Sequence, residues 1–248
     1  QGTVGLEIYE QVENLDAVLV PIGGGGLISG VAVAIKSLNP NIKIIGIQAE
    51  NSQNMKKSFD CKEVVVEKTL PSIADGIAVK YPGDITYQMI CKYVDEIITV
   101  TEDEIASAIL YLLEQCKIVS EGSGAACVAA IMHGKVNYPK QNVVGIISGG
   151  NIDVDLIETI INKGLVADDR RFELKVIIKD RTGEMQRLLA IIAAVNGNIF
   201  ALEQRRFSKS LNINEQEVTV VIGAFDLEHK KQIIEEIKRS SYKCFYAS

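Results

Sequence analysis

Ala17-Val-Leu-Val-Pro-Ile22, followed by Gly23-Gly-Gly-Gly26 and the helix-like stretch Leu27 to Leu38, decides the fold. A short apolar run that ends in glycine and opens into a helical pattern reads as strand, tight turn and helix. This arrangement aims bare backbone N–H groups and the positive end of a helix at one point, where an anion is stabilised. One glycine would serve the turn. Four in a row cost backbone entropy and let a phosphate approach the main chain where a Cβ would block it. The dinucleotide fingerprint G-x-G-x-x-G fails in every frame: its third glycine falls on Ile28 from Gly23 and on Ser29 from Gly24, and from Gly25 its middle glycine falls on Leu27. Glu50, at the end of the next strand, keeps a ribose-binding role open. No Gly-Lys-Ser/Thr follows the glycines, so a Walker loop is excluded. A monophosphate cradle remains.

A second strand ends the same way. Val143-Val-Gly-Ile-Ile147 reads as a buried parallel strand and runs into Ser148-Gly-Gly-Asn151. Ligands of open α/β sheets collect at the carboxyl ends of strands. Two such ends stripped of side chains leave room for a flat ring beside a phosphate.

Around these ends the sequence alternates strands, expected at 17–22, 43–49, 96–101 and 143–148, with helices at 27–38, 103–117, 124–133 and 153–162. In the second helix Ile105, Ala108, Ile109, Leu112, Leu113 and Cys116 form one apolar stripe. Thr101 and the acids Glu102, Asp103 and Glu104 suit its N-terminus. The alternation predicts a doubly wound parallel sheet. Lys163 to Arg171 reads as a polar connector, after which the order changes to β-α-β-β-α: strands at 172–179, 199–206 and 217–225, helices around Met185–Ala193 and 228–239, and a final strand near Tyr242–Tyr246.

The chain has 248 residues, 47% of them hydrophobic, enough for a sizeable core in one or two domains. Its net charge is −6, with the lysines and arginines scattered, so a nucleic-acid partner is not expected. No apolar run reaches the ~18 residues of a membrane span; a soluble, cytoplasmic protein is expected. Cys61, Cys91, Cys116, Cys127 and Cys244 are odd in number and without close pairs, so neither a metal site nor a disulfide framework is read. Cys116 and Cys127 fall on apolar helix positions and are expected in the core. His229 lies in the charged stretch Glu228-His-Lys-Lys231 and is expected in solvent. His133, beside Gly134, is expected to end a helix rather than to catalyse.

Five motifs in this order, Gly2-Thr-Val-Gly-Leu-Glu-Ile8, Val20 to Leu27, Ala74-Asp-Gly76, Glu121-Gly-Ser-Gly-Ala125 and Ser148-Gly-Gly-Asn151, resemble the threonine dehydratases (threonine ammonia-lyases), the biodegradative branch above all. The resemblance covers residues 1 to about 160. It implies a fold-type II pyridoxal phosphate (PLP) enzyme that converts L-threonine to 2-oxobutanoate and ammonia, and L-serine to pyruvate. It implies that Gly23, Gly24, Gly25, Gly26 and Leu27 hold the cofactor phosphate and that Ser148 hydrogen-bonds the pyridine nitrogen. The family's cofactor-anchoring lysine lies in a Ser-Phe-Lys-x-Arg-Gly motif that does not occur here. The resemblance therefore implies a chain that starts mid-domain, holds no catalytic residue of its own and is inactive alone. Serine racemase shares most of these motifs, but its divalent-cation site would need an acid where Lys56 follows Glu50, so no metal is expected.

Residues 172–240 resemble an ACT regulatory domain, which implies a ferredoxin-like fold, giving domains at 1–165 and 170–248. Lys179-Asp-Arg-Thr-Gly-Glu184 stands at the ligand loop and Gly197-Asn-Ile199 at the second strand, although Thr182 replaces the proline common before the loop glycine. The resemblance implies an amino-acid effector, isoleucine or valine, on Asp180, Gly183 and Asn198 between paired domains of a homo-oligomer (dimer or tetramer). A nucleotide effector and a purely regulatory, metabolite-binding fragment are the alternatives.

Overall fold

The computed structural model describes residues 1–207 and 211–246. The chain divides into two compact units, Gln1–Ile160 and Ile161–Ser248. The boundary lies inside a helix, because the expected connector after residue 163 is helical as far as Ala167.

The first unit runs α1 (Gly2–Gln11), β1 (Leu15–Pro21), α2 (Gly26–Leu38), β2 (Lys43–Ala49), α3 (Asn54–Cys61), α4 (Asp84–Tyr93), β3 (Glu96–Val100), α5 (Glu102–Tyr111), α6 (Gly122–Met132), β4 (Asn142–Gly145) and α7 (Val154–Ala167). The four strands are all parallel, in the order β3-β2-β1-β4. Ala17 to Val20 and Ile44, Ile45 and Ile47 have no solvent exposure, the near-continuous burial of strands covered on both faces. β1 is central, with β2 on one side and β4 on the other. Chain direction across the sheet therefore reverses between β1 and β4, and this switch point opens the crevice at the carboxyl edge.

Two expectations for this unit shift. β4 is shorter than the apolar run 143–148. One further bond, Ile146 N–H to the Leu19 carbonyl at 3.1 Å, extends the pairing before the chain leaves the sheet. Cys116 is exposed rather than in the core. α5 opens with a capping box in which Thr101 and Glu104 bond each other's backbone, but at Leu112–Cys116 it continues as a π-helical turn. The wider turn breaks the 3.6-residue stripe that placed Cys116 with Ile105. Cys127, in α6, is fully buried as expected, and burial pushes its thiol well above the ordinary range.

The second unit carries β5 (Arg171–Lys179), α8 (Glu184–Ala194), β6 (Asn198–Arg205), β7 (Glu215–Gly223), α9 (Leu227–Arg239) and β8 (Lys243–Tyr246). Its antiparallel sheet has the order β6-β7-β5-β8, the ferredoxin-like arrangement. Phe172, Leu174, Val176 and Ile178 alternate on one face, joined by Val218, Val220 and Ile222, and pack with Leu188 and Ile192 of α8 and Ile233 and Ile237 of α9. His229 is a correction: it is buried, not solvated. It precedes Ile233 and Ile237 at four-residue spacing and so falls on the core face of α9. There its Nδ1 accepts from Phe225 N–H at 3.1 Å while Nε2 lies 2.7 Å from the Val195 carbonyl.

Candidate functional site

The four glycines after β1 are not equivalent. A Cβ on Gly23 would lie 3.0 Å from Ile77 Cα and 3.2 Å from the Gly76 carbonyl. Gly25 caps α2 with φ +86°, and a Cβ there would meet Ile90 and Thr86 at 2.9 Å. Gly24 and Gly26 face open space. No packing among the described residues requires a bare backbone at those two positions. What they keep clear is the space in front of the opening amides of α2, which have no intrahelical acceptor and no side-chain cap. Thr86, in α4, braces the loop from behind by donating to the Gly24 carbonyl at 2.6 Å. Leu27, half-buried, is the second residue of α2, packs on the core and adds its amide to this first turn.

Ser148 leaves the end of β4, directly beside β1, so the two glycine-rich ends meet at the switch point. Its hydroxyl makes no hydrogen bond among the described residues and is half-exposed. Its carbonyl is pressed against α6: a Cβ on Gly124 would lie 2.0 Å from that oxygen. The turn after it is held by Glu121, whose N–H donates to the Gly149 carbonyl at 3.3 Å and whose carboxylate accepts from Asn151 N–H at 3.1 Å. That carboxylate also occupies the space a side chain on Gly149 would need, at 2.4 Å. Gly76 closes the ring of loops, since a Cβ there would lie 2.8 Å from Ser123 Oγ and 3.2 Å from Glu121 Oε1. Among the described residues, Ser123 buries this oxygen without a partner.

Four of the five motifs named from sequence thus surround one crevice. The fifth does not reach it. Gly2 and Gly5 let α1 approach α2, where a Cβ on Gly30 would lie 2.7 Å from Gly2 N and one on Gly5 3.0 Å from the Val31 carbonyl. Sequence reasoning quoted Glu121 inside its motif without a role. Its function depends on a loop nearly thirty residues away, which no local pattern reveals. Glu50 opens a 3-10 turn and is exposed, and Lys56 pairs with Asp60 at 2.9 Å. Among the described residues no group of His, Cys, Asp or Glu is placed to hold a metal ion, and no helix is long and apolar enough to cross a membrane.

Residues 1–149 match the family of pyridoxal-phosphate dependent enzymes. The chain belongs to that family. Over 239 residues it is 46% identical to an L-threonine ammonia-lyase of Thermotoga maritima, covering 96% of this chain and 58% of that protein. The chain thus spans less than two thirds of that relative's length. Among solved structures it is similar to the processed form of threonine deaminase isoform 2 from Solanum lycopersicum, at TM-score 0.60 and 33% identity over 65% of this chain and 48% of the other. It is also similar to the serine racemase of Dictyostelium discoideum, at TM-score 0.55 and 41% identity over 62% of this chain and 49% of the other.

The crevice fits the family's cofactor. A phosphate needs several N–H donors, room in front of them and a positive local field, which the start of α2 and the bare faces of Gly24 and Gly26 supply. A ring nitrogen needs one polar partner, and the Ser148 hydroxyl is uncommitted.

The predicted effector residues do not converge within one chain. Asp180 follows the end of β5, with Arg206 3.8 Å away, and Gly183 caps α8 at φ +90°. Asn198 begins β6 opposite Gly223, which pairs with Arg171 at the other end of the sheet. It lines a separate cavity of about 240 Å³ with Arg170, Arg171 and Asn196.

Proposed function

We propose that this chain supplies the phosphate and ring-nitrogen contacts of a threonine ammonia-lyase, which converts L-threonine to 2-oxobutanoate and ammonia and L-serine to pyruvate. The observation that carries this reading is the meeting of the Gly23–Gly26 and Ser148–Asn151 ends on adjacent parallel strands at the switch point. The name of the Thermotoga relative supports the substrate.

Pyridoxal phosphate, when bound, supplies the electron sink that lets the substrate's α-proton leave. The amides of Gly24, Gly25, Gly26 and Leu27 hold its phosphate, with the α2 dipole aiding them. Ser148 would offer the ring nitrogen a neutral hydroxyl rather than a carboxylate. Glu121 keeps Ser148 in place through its two bonds to the following turn.

Serine racemase is the second reading, favoured by the 41% identity to the Dictyostelium structure. The Lys56–Asp60 ion pair, standing where that reading places a metal ligand, favours the lyase. The five free thiols fit a reducing, cytoplasmic setting. An effector shared by Asp180, Gly183 and Asn198 needs two copies of the chain, which agrees with a homo-oligomer.

The family's Ser-Phe-Lys-x-Arg-Gly motif does not occur in this sequence. Residues 1–248 with added PLP are expected to release no 2-oxobutanoate, and the same residues joined to a segment carrying that motif are expected to release it. Turnover by residues 1–248 alone, or racemisation without elimination in the joined protein, overturns the reading.

A further inference from the structure

Two cysteines of the first unit flank one contact between helices. α3 and α4 pack together, and the Tyr87 hydroxyl of α4 donates across the gap to the Ser58 carbonyl of α3 at 3.2 Å. Cys61 stands three residues after Ser58, at the last position of α3, and Cys91 four residues after Tyr87, in the last turn of α4. Residues three or four apart share a helix face. Both thiols therefore lie on the sides that meet at the Tyr87–Ser58 bond. The phenol senses the same surroundings: burial first, and then the Cys91 thiol, Glu63 and Cys61, hold it above the ordinary tyrosine range.

Unpaired cysteine is among the most buried residue types. Cys61 and Cys91 are both exposed. Core packing therefore does not account for either thiol, and a reagent in solution reaches both. Cys61 ends α3, and Lys62 turns the chain out at φ +59°. This terminus has the freedom to reach the roughly 5.5–6 Å Cα separation of a disulfide.

We infer that Cys61 and Cys91 are a redox pair that closes into a disulfide by exchange with a small-molecule disulfide. One protein thiolate attacks a sulfur of the small disulfide and expels one of its thiolates, leaving a mixed disulfide. The second protein thiolate attacks the protein sulfur of that bond and expels the other small thiolate. Two protein thiols are oxidised, one small disulfide is reduced to two thiols, and the protons end on the departing thiolates. In a reducing setting the pair stays open until the small disulfide accumulates.

Closure joins residues 61–91 into one loop. Between α3 and α4 that loop carries only the 3-10 turn Asp75–Ile77, so the unfolded chain loses much of its freedom on closure. α4 also braces the phosphate cradle. Thr86 bonds the Gly24 carbonyl, and Ile90, next to Cys91, lies against Gly25. The disulfide thus acts on the helix that holds the glycine loop.

The pair lies apart from the crevice residues and its test reads mass rather than turnover, so its failure is separate from failure of the lyase assignment. Residues 1–248, fully reduced, are incubated with oxidised glutathione, digested without reductant and weighed by mass spectrometry. A linked pair of peptides carrying Cys61 and Cys91 is expected, ~2 Da below the sum of the reduced peptides and restored by dithiothreitol. Cys116, the third exposed cysteine, is the internal control and is expected to carry glutathione. In Cys91→Ser, Cys61 is expected to carry glutathione, and in Cys61→Ser, Cys91. Oxidation is expected to raise the melting temperature of the parent chain and of neither variant. The inference is overturned if Cys61 and Cys91 each carry glutathione in the parent chain with no linked peptide. It is equally overturned if mixing with isotope-labelled protein shows the link to join separate chains, or if Cys116 cross-links as readily.

Discussion

Gly24 and Gly26 are glycine for a different reason from Gly23 and Gly25, and single substitutions separate the two. Gly25→Ala forces a Cβ into Ile90 and Thr86 at φ +86°, where the left-handed backbone alone costs about 1–2 kcal/mol. It is expected to lower the melting temperature. Gly24→Ala points its methyl into open space, so stability is expected to hold while cofactor affinity falls. Equal melting-temperature losses in the two variants would show that the loop is shaped by packing alone. Ser148→Ala tests the other end of the crevice. A ring nitrogen stranded without its partner costs about 1–3 kcal/mol, so PLP retention is expected to fall roughly 10- to 100-fold, read from the cofactor's absorbance after gel filtration.

At the scale of elements, α9 shows how one buried polar side chain joins three pieces of backbone. His229 receives the Phe225 N–H, reaches the Val195 carbonyl at the end of α8, and stacks on the Phe225 ring at 4.5 Å between centroids. The N-cap Asp226 accepts from the His229 N–H at 2.8 Å, so the helix start and the imidazole are fixed together. His229→Ala strands two backbone groups and is expected to cost about 1–3 kcal/mol. Urea denaturation followed by far-UV circular dichroism measures it, and a loss below a few tenths would mean that water replaces the ring at no cost.

For the molecule as a whole, the parallel sheet is tied at the end opposite the crevice by Asp95, which precedes β3. Its carboxylate takes Lys36 of α2 at 2.7 Å, Lys43 at 3.1 Å and the Ile44 N–H at 2.8 Å. Partial burial opposes ionisation, but these three donors outweigh it and hold the carboxyl below the ordinary aspartate range. A depressed folded-state value means that this stabilisation is complete above the unfolded value of about 3.9 and is lost as pH falls through the folded one. Asp95→Asn is therefore expected to lower the melting temperature at pH 6 and to flatten its decline below about pH 4. Parallel curves for the two proteins would remove Asp95 from the acid response.

The sequence by itself determined the strands, most of the helices and the glycine-rich strand ends, because these are local, but it left α1, α3 and α4 unread. The run Ala17 to Ile22 is apolar throughout since a strand covered on both faces has no polar side, and Phe172 to Ile178 alternates since its sheet has one dry face. Tertiary structure decided which ends meet. Gly26 and Ser148 are far apart in sequence, and only the strand order β3-β2-β1-β4 makes them neighbours. The same dependence hid Glu121, whose bonds reach Gly149 and Asn151, and misplaced Cys116, where a π-helical turn overrides the helical period. Charge counting placed His229 in solvent because its sequence neighbours are charged, whereas helix register aligned it with Ile233 and Ile237. Asp180 and Asn198 fell together on motif order, and the antiparallel register sets them at opposite ends of one sheet. Local physics fixes what each segment is, and long-range pairing fixes what each segment faces.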